Sequence, residues 1–312
     1  MKNILITGGA GFIGSHTADL LLQAGFKVVV FDNLISGKLA NLDLFHPNLQ
    51  VVANEQANVL NYLSLLTQIK RCDAVLHLAA IPSVPKSIED PVASLQVNLQ
   101  GFVHVLQAVR ESQKPIRVVY ASSAAVYGDA SELPCSDDVA VLPPVLSPYA
   151  LEKATDERYA DLFARLFGIQ CLGLRYFNVY GTRQDPSSPY SGVISKFMAC
   201  YSKDEPITIW GDGQQSRDFI NVLDVARANL LALQSDFVGV LNIATGKPET
   251  LLSLLQCIEQ VGGRPADIHL GAARAGDIRE SYATTAKAEQ HLGFQAETSL
   301  QEGMRLLMNI GS

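Results

Sequence analysis

The segment Thr7-Gly8-Gly9-Ala10-Gly11-Phe12-Ile13-Gly14 constrains this chain more than any other stretch. An apolar run over 2–7 leads into it and a helical pattern over 11–24 leaves it, so the order is strand, glycine turn, helix. Glycines at 8, 11 and 14 let backbone N–H groups come close to a ligand, and a helix N-terminus adds partial positive charge. Both features suit a phosphate, although an ordinary tight turn accounts for the glycines as well. Asp32 closes a second strand, 27–32, where an acid accepts hydrogen bonds from the ribose hydroxyls of a dinucleotide. The same acid repels a 2′-phosphate, which points to NAD rather than NADP. Asp32-Asn33 also reads as a plain turn, and Lys38 is the nearby base that bears on the preference.

The remaining patterning predicts a doubly wound parallel α/β sheet, the Rossmann arrangement. Further strands fall at 51–53, 74–78, 117–122 and 170–175, separated by helices at about 91–112 and at 148–167. Ser147 is placed to cap the latter, Pro148 to start it and Gly168 to close it. Past Tyr180 the rhythm breaks. Residues 181–192 read as loop, and helices at 193–201, 222–234 and 251–261 mix with short strands. We expect residues 1–178 with 219–244 to form the dinucleotide-binding domain, the chain returning to the sheet near 239–243. Residues 179–218 with 245–312 form a smaller, discontinuous substrate-binding domain.

Composition removes other classes. Of 312 residues 48% are hydrophobic and 18% charged, with a net charge of −7 and no dense basic tract, so a nucleic-acid groove is not expected. No apolar stretch reaches the roughly 20 residues of a membrane helix, and no secretory signal is visible. The five cysteines, scattered without CxxC spacing, read as reduced thiols of a cytoplasmic protein, with no disulfide and no metal.

Tyr149 and Lys153 stand four apart at the start of a helix and share a face. A phenol ionises near pH ~10; an ammonium beside it favours phenolate and makes it a usable base. A helix-surface pair has the same spacing. Ser122 and Ser123 end the fifth strand, at the edge where such sheets hold ligands. One of the two is expected to be structural and Ser123 catalytic, since either hydroxyl also suits backbone capping.

These pieces resemble the extended short-chain dehydrogenase/reductase family. The matching motifs are 7–14, His-Leu-Ala-Ala at 77–80, Ser-Ser-Ala-Ala-Val-Tyr-Gly at 122–128, Ser-Pro-Tyr-Ala-Leu-Glu-Lys at 147–153, Leu-Arg-Tyr-Phe-Asn-Val-Tyr-Gly at 174–181 and Gly-Asp-Gly-Gln-Gln-Ser-Arg-Asp-Phe-Ile at 211–220. Within that family the chain is most similar to UDP-hexose and UDP-N-acetylhexosamine 4-epimerases. The resemblance implies NAD held by Gly8, Gly11, Phe12, Ile13, Asp32 and Asn33, with Asn58, Val59, Leu78, Ala79 and Ala80 along the same edge. It implies that Asn98 supports the cofactor site, that Lys153 grips the nicotinamide ribose, and that Tyr176 and Phe177 flank the nicotinamide. Asn58 is a departure, since many relatives place an aspartate there against adenine.

The resemblance further implies a UDP-sugar substrate touched by Ser83, Val84, Ser123, Tyr149 and Val193, with Asn178, Arg217 and Arg274 anchoring its pyrophosphate. Asp277 either holds the uridine ribose or caps a turn. Ser281 stands where a bulky residue restricts relatives to plain hexoses, so serine leaves room for a 2-N-acetyl group; it also suits an ordinary loop. Dehydratases in the family carry an acid pair after the catalytic hydroxyl residue. Here Ala124 and Ala125 stand there, and neither transfers a proton. C4 epimerisation by transient oxidation is the expected reaction, with a reductase or decarboxylase of the same family, or a catalytically silent NAD-binding module, as alternatives. The helices at 91–112 and 148–167 resemble those that pair across a two-fold axis in relatives, which implies a homodimer; their apolar residues equally suit an intrachain core.

Overall fold

Strand β1 (Asn3–Thr7) pairs in parallel with β2 (Lys27–Asp32) on one side and β4 (Ala74–His77) on the other. The computed structural model describes residues 2–138, 144–185, 192–273 and 278–309. β2 continues to β3 (Leu49–Ala53), and β4 to β5 (Arg117–Ser123), β6 (Cys171–Tyr176) and β11 (Gly239–Ile243). The result is a seven-stranded parallel sheet in the order β11-β6-β5-β4-β1-β2-β3. Both faces are buried, as the continuously apolar strands require. Ile4 and Ile6 pack with α1 (Phe12–Gln23) and α8 (Val222–Gln234) on one face, while Leu5 packs with α2 (Tyr62–Ile69) and α5 (Gly101–Ser112) on the other.

Two helices bear directly on the ligand edge. α6 (Pro148–Phe167) begins as its sequence predicts: the Ser147 hydroxyl accepts from the Ala150 N–H, and Gly168 closes it in the left-handed conformation. α3 (Val84–Glu89) lies beside its start, capped by Ser83 on the Lys86 N–H. The helix expected over 91–112 runs unbroken between those bounds, but one of its turns has a wider pitch. α4 (Pro91–Leu95) passes through a π turn, Gln96–Gln100, into α5. The turn carries Asn98, and its extra residue lets that side chain leave the regular ladder toward the loop after β4.

The C-terminal part surrounds a third apolar cluster formed by α7 (Val193–Ser202), β8 (Ile207–Trp210), α9 (Leu251–Gly262) and α11 (Leu300–Met308). Its small sheets are β7 (Val179–Tyr180) with β10 (Ile220–Asn221), β8 with β13 (Ile268–Gly271), and β12 (Pro248–Thr250) with β9 (Ser216–Asp218) and β14 (Glu280–Ser281). α10 (Ala286–Leu292) packs back on β11 through Ala288. Among the described residues no helix is long and apolar enough to cross a membrane.

Candidate active site

The glycine turn is held from below. Gly8 has φ +70°, and a Cβ on it would lie 2.8 Å from the Ala79 nitrogen. The segment Leu78–Ala80 therefore lies flush on the turn, its Leu78 and Ala79 N–H groups donating to the Thr7 carbonyl and hydroxyl. A Cβ on Gly14 would meet the Gly8 carbonyl oxygen at 2.3 Å, so α1 sits against the turn as only glycine permits. Gly11 caps α1, ahead of Phe12 and Ile13, with an ordinary φ of −77°, and its Cβ direction meets only the Gly8 carbonyl, at 3.2 Å. That contact is tight but far looser than the one at Gly14, and the first N–H groups of α1, which begin here, lack partners within the helix.

Asp32 is buried at the end of β2 and accepts from the N–H groups of Ala10 and Leu34, at 3.0 and 2.8 Å. A carboxylate has about four lone-pair sites, so capacity remains for ribose hydroxyls. Gly37 approaches this carboxylate so closely that a Cβ would lie 2.8 Å from both its oxygens. Lys38, the base that bears on a 2′-phosphate, is paired with Asp185 at 2.8 Å. Asn33 turns its side-chain oxygen to the Ile35 N–H, and Asn58 turns its own to Leu60, so each closes a local turn. The Val59 carbonyl meets His104 Nδ1 at 2.9 Å while its side chain packs on Gly101. These residues fit a dinucleotide: a cradle that any Cβ would fill, an acid at the ribose position and a neutralised lysine.

Asn98 is fully buried and works on the loop after β4. It accepts from the Ile81 N–H at 2.7 Å and donates to Glu152 Oε2 at 2.7 Å. Glu152 also accepts from Ser94, so the π turn, the β4 loop and α6 share one hydrogen-bonded knot. His77, at the tip of β4, meets the Thr7 hydroxyl at 2.8 Å; burial, then Lys153, hold it down to about 3, and it is neutral.

At the tip of β5 the two serines have different partners. Ser122 is buried and donates to Glu157 Oε1 at 2.6 Å, and Glu157 in turn forms a bidentate pair with Arg175. Ser123 is half-buried and accepts from the Ala125 N–H at 3.2 Å, capping a short 3-10 turn, Ala124–Tyr127. Both alanines expected to lack acid function lie in that turn. Tyr149 and Lys153 lie on α6 at the same edge. The Tyr149 N–H donates to Ser87 of α3 at 3.1 Å. Lys153 is buried, with its ammonium 3.2 Å from Asp156 Oδ2. Burial pulls its pKa down, but Asp156 and Tyr149 outweigh that and it stands above the ordinary lysine value.

Tyr176 pairs in register with Ser123 and donates to Asn229 of α8 at 2.6 Å, while Phe177 is buried against Tyr127. Asn178 donates to the Asp218 carbonyl at 3.3 Å and so ties the sheet to β9. On β9, Arg217 stands opposite Ser281 of β14 in register, which brings two expected substrate residues together across 64 positions of chain. Asp218 is buried and accepts from the N–H groups of Thr245 and Gly246, which fixes that strand beneath Arg217. Ser83 is buried as the cap of α3, Val84 is partly exposed at its first position, and Val193 opens α7. Arg274 and Asp277 lie outside the described residues. Sequence reasoning missed Gly37, Ser87, Glu152 and Asp156. Only the i,i+3 spacing of Lys153 and Asp156 left a trace of any of them.

Comparison with known proteins follows the same geometry. Residues 4–244 match the model of the NAD dependent epimerase/dehydratase family. The chain is similar to a UDP-N-acetylglucosamine 4-epimerase from Methanobrevibacter ruminantium solved with UDP-N-acetylmuramic acid: 38% identity, TM-score 0.91, covering 99% of this chain and 98% of that one. A UDP-glucose 4-epimerase from Thermotoga maritima, solved with UDP-glucose, aligns at 35% identity and TM-score 0.91 with the same coverage. A Thermus thermophilus UDP-glucose 4-epimerase in complex with NAD aligns at 34% identity and TM-score 0.87, again over 99% and 98%.

Proposed function

Because the chain belongs to the NAD dependent epimerase/dehydratase family, we propose that it is an NAD-dependent UDP-sugar 4-epimerase. The observation that carries the reading is the edge of the sheet: Ser123, Tyr149 and Lys153 stand beside a glycine cradle and an acid suited to NAD, and Ala124 and Ala125 replace the acids that elimination needs. Residues 1–178 with 219–244 hold the dinucleotide and the remainder holds the nucleotide sugar.

Bound NAD would supply a hydride acceptor and, on return, a hydride donor at one carbon. Gly8, Gly11, Phe12 and Ile13 would hold its pyrophosphate, Asp32 and Asn33 the adenosine ribose, Asn58 and Val59 the adenine edge, and Leu78–Ala80, Asn98, Tyr176 and Phe177 the nicotinamide half. Tyr149 takes the proton of the sugar 4-hydroxyl, with Ser123 sharing the hydrogen bond and the Lys153 ammonium balancing the phenolate charge. When the keto sugar presents its other face, C4 would be reduced from that side and Tyr149 returns the proton to the C4 oxygen. Asn178, Arg217 and Arg274 hold the pyrophosphate of the substrate, Asp277 its ribose, and Ser83, Val84 and Val193 the sugar side.

Ser281, opposite Arg217, leaves space for a 2-N-acetyl group, so UDP-GlcNAc and UDP-GalNAc are substrates alongside UDP-Glc and UDP-Gal. The chain works as a homodimer: Val92 and Leu95 of α4 and Leu151, Leu162 and Leu166 of α6 present apolar side chains outward, between 38% and 66% exposed. Five free thiols accord with a reducing, cytoplasmic setting. Incubation with each of the four UDP-sugars, without added reductant, should yield the C4 epimer. Net NADH consumption or CO₂ release would instead identify a reductase or a decarboxylase, and no conversion at all a silent binding module.

A further inference from the structure

Three buried carboxylates follow Tyr149 on α6, and their partners divide them cleanly. Glu152 turns to Asn98 and Ser94. Glu157 turns to Arg175 and Ser122. Asp156 alone turns to the ammonium of Lys153, and both side chains are at most 2% exposed. Tyr149, Lys153 and Asp156 stand at i, i+4 and i+7, one stripe of the helix. The second oxygen of Asp156 is buried with no hydrogen-bond partner. An uncommitted lone pair on a buried carboxylate is costly, and no apolar packing requirement calls for an acid at this position.

We propose that Asp156 is a positioning residue for the epimerisation reaction: it holds the Lys153 ammonium from behind, keeps it charged in a dry pocket, and so sets the pH range over which Tyr149 works. The inference rests on the epimerase reading. An ammonium has three donors, and one is spent on Asp156. The groups facing the pair are Tyr149, Glu152 and Glu157 on α6, His77 on β4, Tyr120 on β5 and Arg175 on β6. Glu157 and Arg175 neutralise one another, and His77 carries no charge. The field at Lys153 is therefore governed first by Asp156, then by Tyr149, with Glu152, whose partners are neutral, adding less.

Burial pushes the Asp156 carboxyl up to about 7, against the pull of Lys153. Above neutrality Asp156 is ionised and holds the lysine proton in place; below it the acid is neutral and exerts little field. Asp156→Asn keeps the shape and a hydrogen-bond acceptor but removes the charge. Loss of the negative charge 3.2 Å from its ammonium lowers the pKa of Lys153, by about one unit, and removes a charge that opposes a phenolate on the same stripe. The alkaline limb of kcat/KM against pH should move down by about one pH unit, and the acid limb, where Asp156 already carries its proton, should move less.

The test measures these profiles for the intact enzyme, Asp156→Asn and Asp156→Glu, with UDP-galactose as substrate. A second readout does not depend on turnover. The Tyr149 phenolate, read as the ultraviolet difference between Asp156→Asn and the same variant carrying Tyr149→Phe, should appear at lower pH than in the parent background. Asp156→Glu restores the charge and should return both readouts toward the parent. A uniform drop in activity with unmoved limbs, or an unshifted phenolate, overturns the proposal and leaves Asp156 a packing residue. If the parent enzyme converts no UDP-sugar, the epimerase reading falls, and the phenolate titration still decides the role of Asp156.

Discussion

Two glycines of one turn should respond to the same substitution in different proportion. At Gly14 an added methyl meets the Gly8 carbonyl oxygen at 2.3 Å and the Gly9 Cα at 2.8 Å, both of them backbone. Ordinary contact begins near 3.4 Å, so α1 and the turn must part by about 1 Å. Overpacking of that kind costs about 1–3 kcal/mol, and it displaces the N–H groups that meet the phosphates. Gly14→Ala should therefore lose stability and weaken NAD binding together, the latter by about 5- to 150-fold if the whole cost falls on the bound state. At Gly11 the methyl meets only the Gly8 carbonyl, at 3.2 Å, and φ is −77°, which alanine adopts freely. The cost to the fold is the poorer helix cap, about 1 kcal/mol. The methyl sits at the N-terminus of α1, where the phosphates would lie, so Gly11→Ala should lower the thermal midpoint by only about 2–3 °C and lose NAD. The assay is thermal unfolding of the NAD-free protein beside calorimetric titration with NAD. Equal destabilisation by both variants, or a Gly11→Ala protein that binds NAD as the parent does, would refute the placement of the phosphates.

Other consequences follow from single contacts. Glu157→Gln leaves Arg175 a buried cation without its counter-charge; about 3–5 kcal/mol of stability should go, seen as a thermal midpoint lower by about 10 °C, and an unchanged midpoint would mean the bidentate pair contributes nothing. Ser281→Tyr should abolish turnover of UDP-GlcNAc and spare UDP-Glc; equal loss of both in a product assay counts against a pocket-wall role. Charging the outward face of α6 with Leu162→Glu and Leu166→Glu should turn a dimer into a monomer in sedimentation, and a monomeric parent would remove the premise. Lys38→Ala should leave the preference for NAD over NADP intact, since its ammonium is already paired with Asp185; improved or weakened NADP binding in titration would assign Lys38 a place at the ribose.

Much of the site edge was legible because its signals are local. A strand, three glycines and a helix lie within a dozen residues, and the caps of α6 lie next to the helix they bound. The helix at 91–112 was legible in its bounds, but its π turn was not, for the opposite reason. Its π turn exists to bring Asn98 to Ile81 and Glu152, partners 17 and 54 residues away, and periodicity carries no record of them.

The same division separates what the sequence alone determined from what the tertiary structure decided. Backbone sterics, periodicity and capping are properties of neighbours in the chain, and they settled the parallel α/β class, the dinucleotide turn and the shared face of Tyr149 and Lys153. Packing decided that Ser122 is committed to Glu157 while Ser123 stays half-buried as the cap of a short turn, since only the fold brings Glu157 to the first. It also set Ser281 beside Arg217 and gave Lys153 to Asp156 rather than to Glu152 or Glu157. Identical side chains acquire different roles in a low-dielectric interior because each buried charge must find a partner there, and the partner is chosen by three-dimensional proximity.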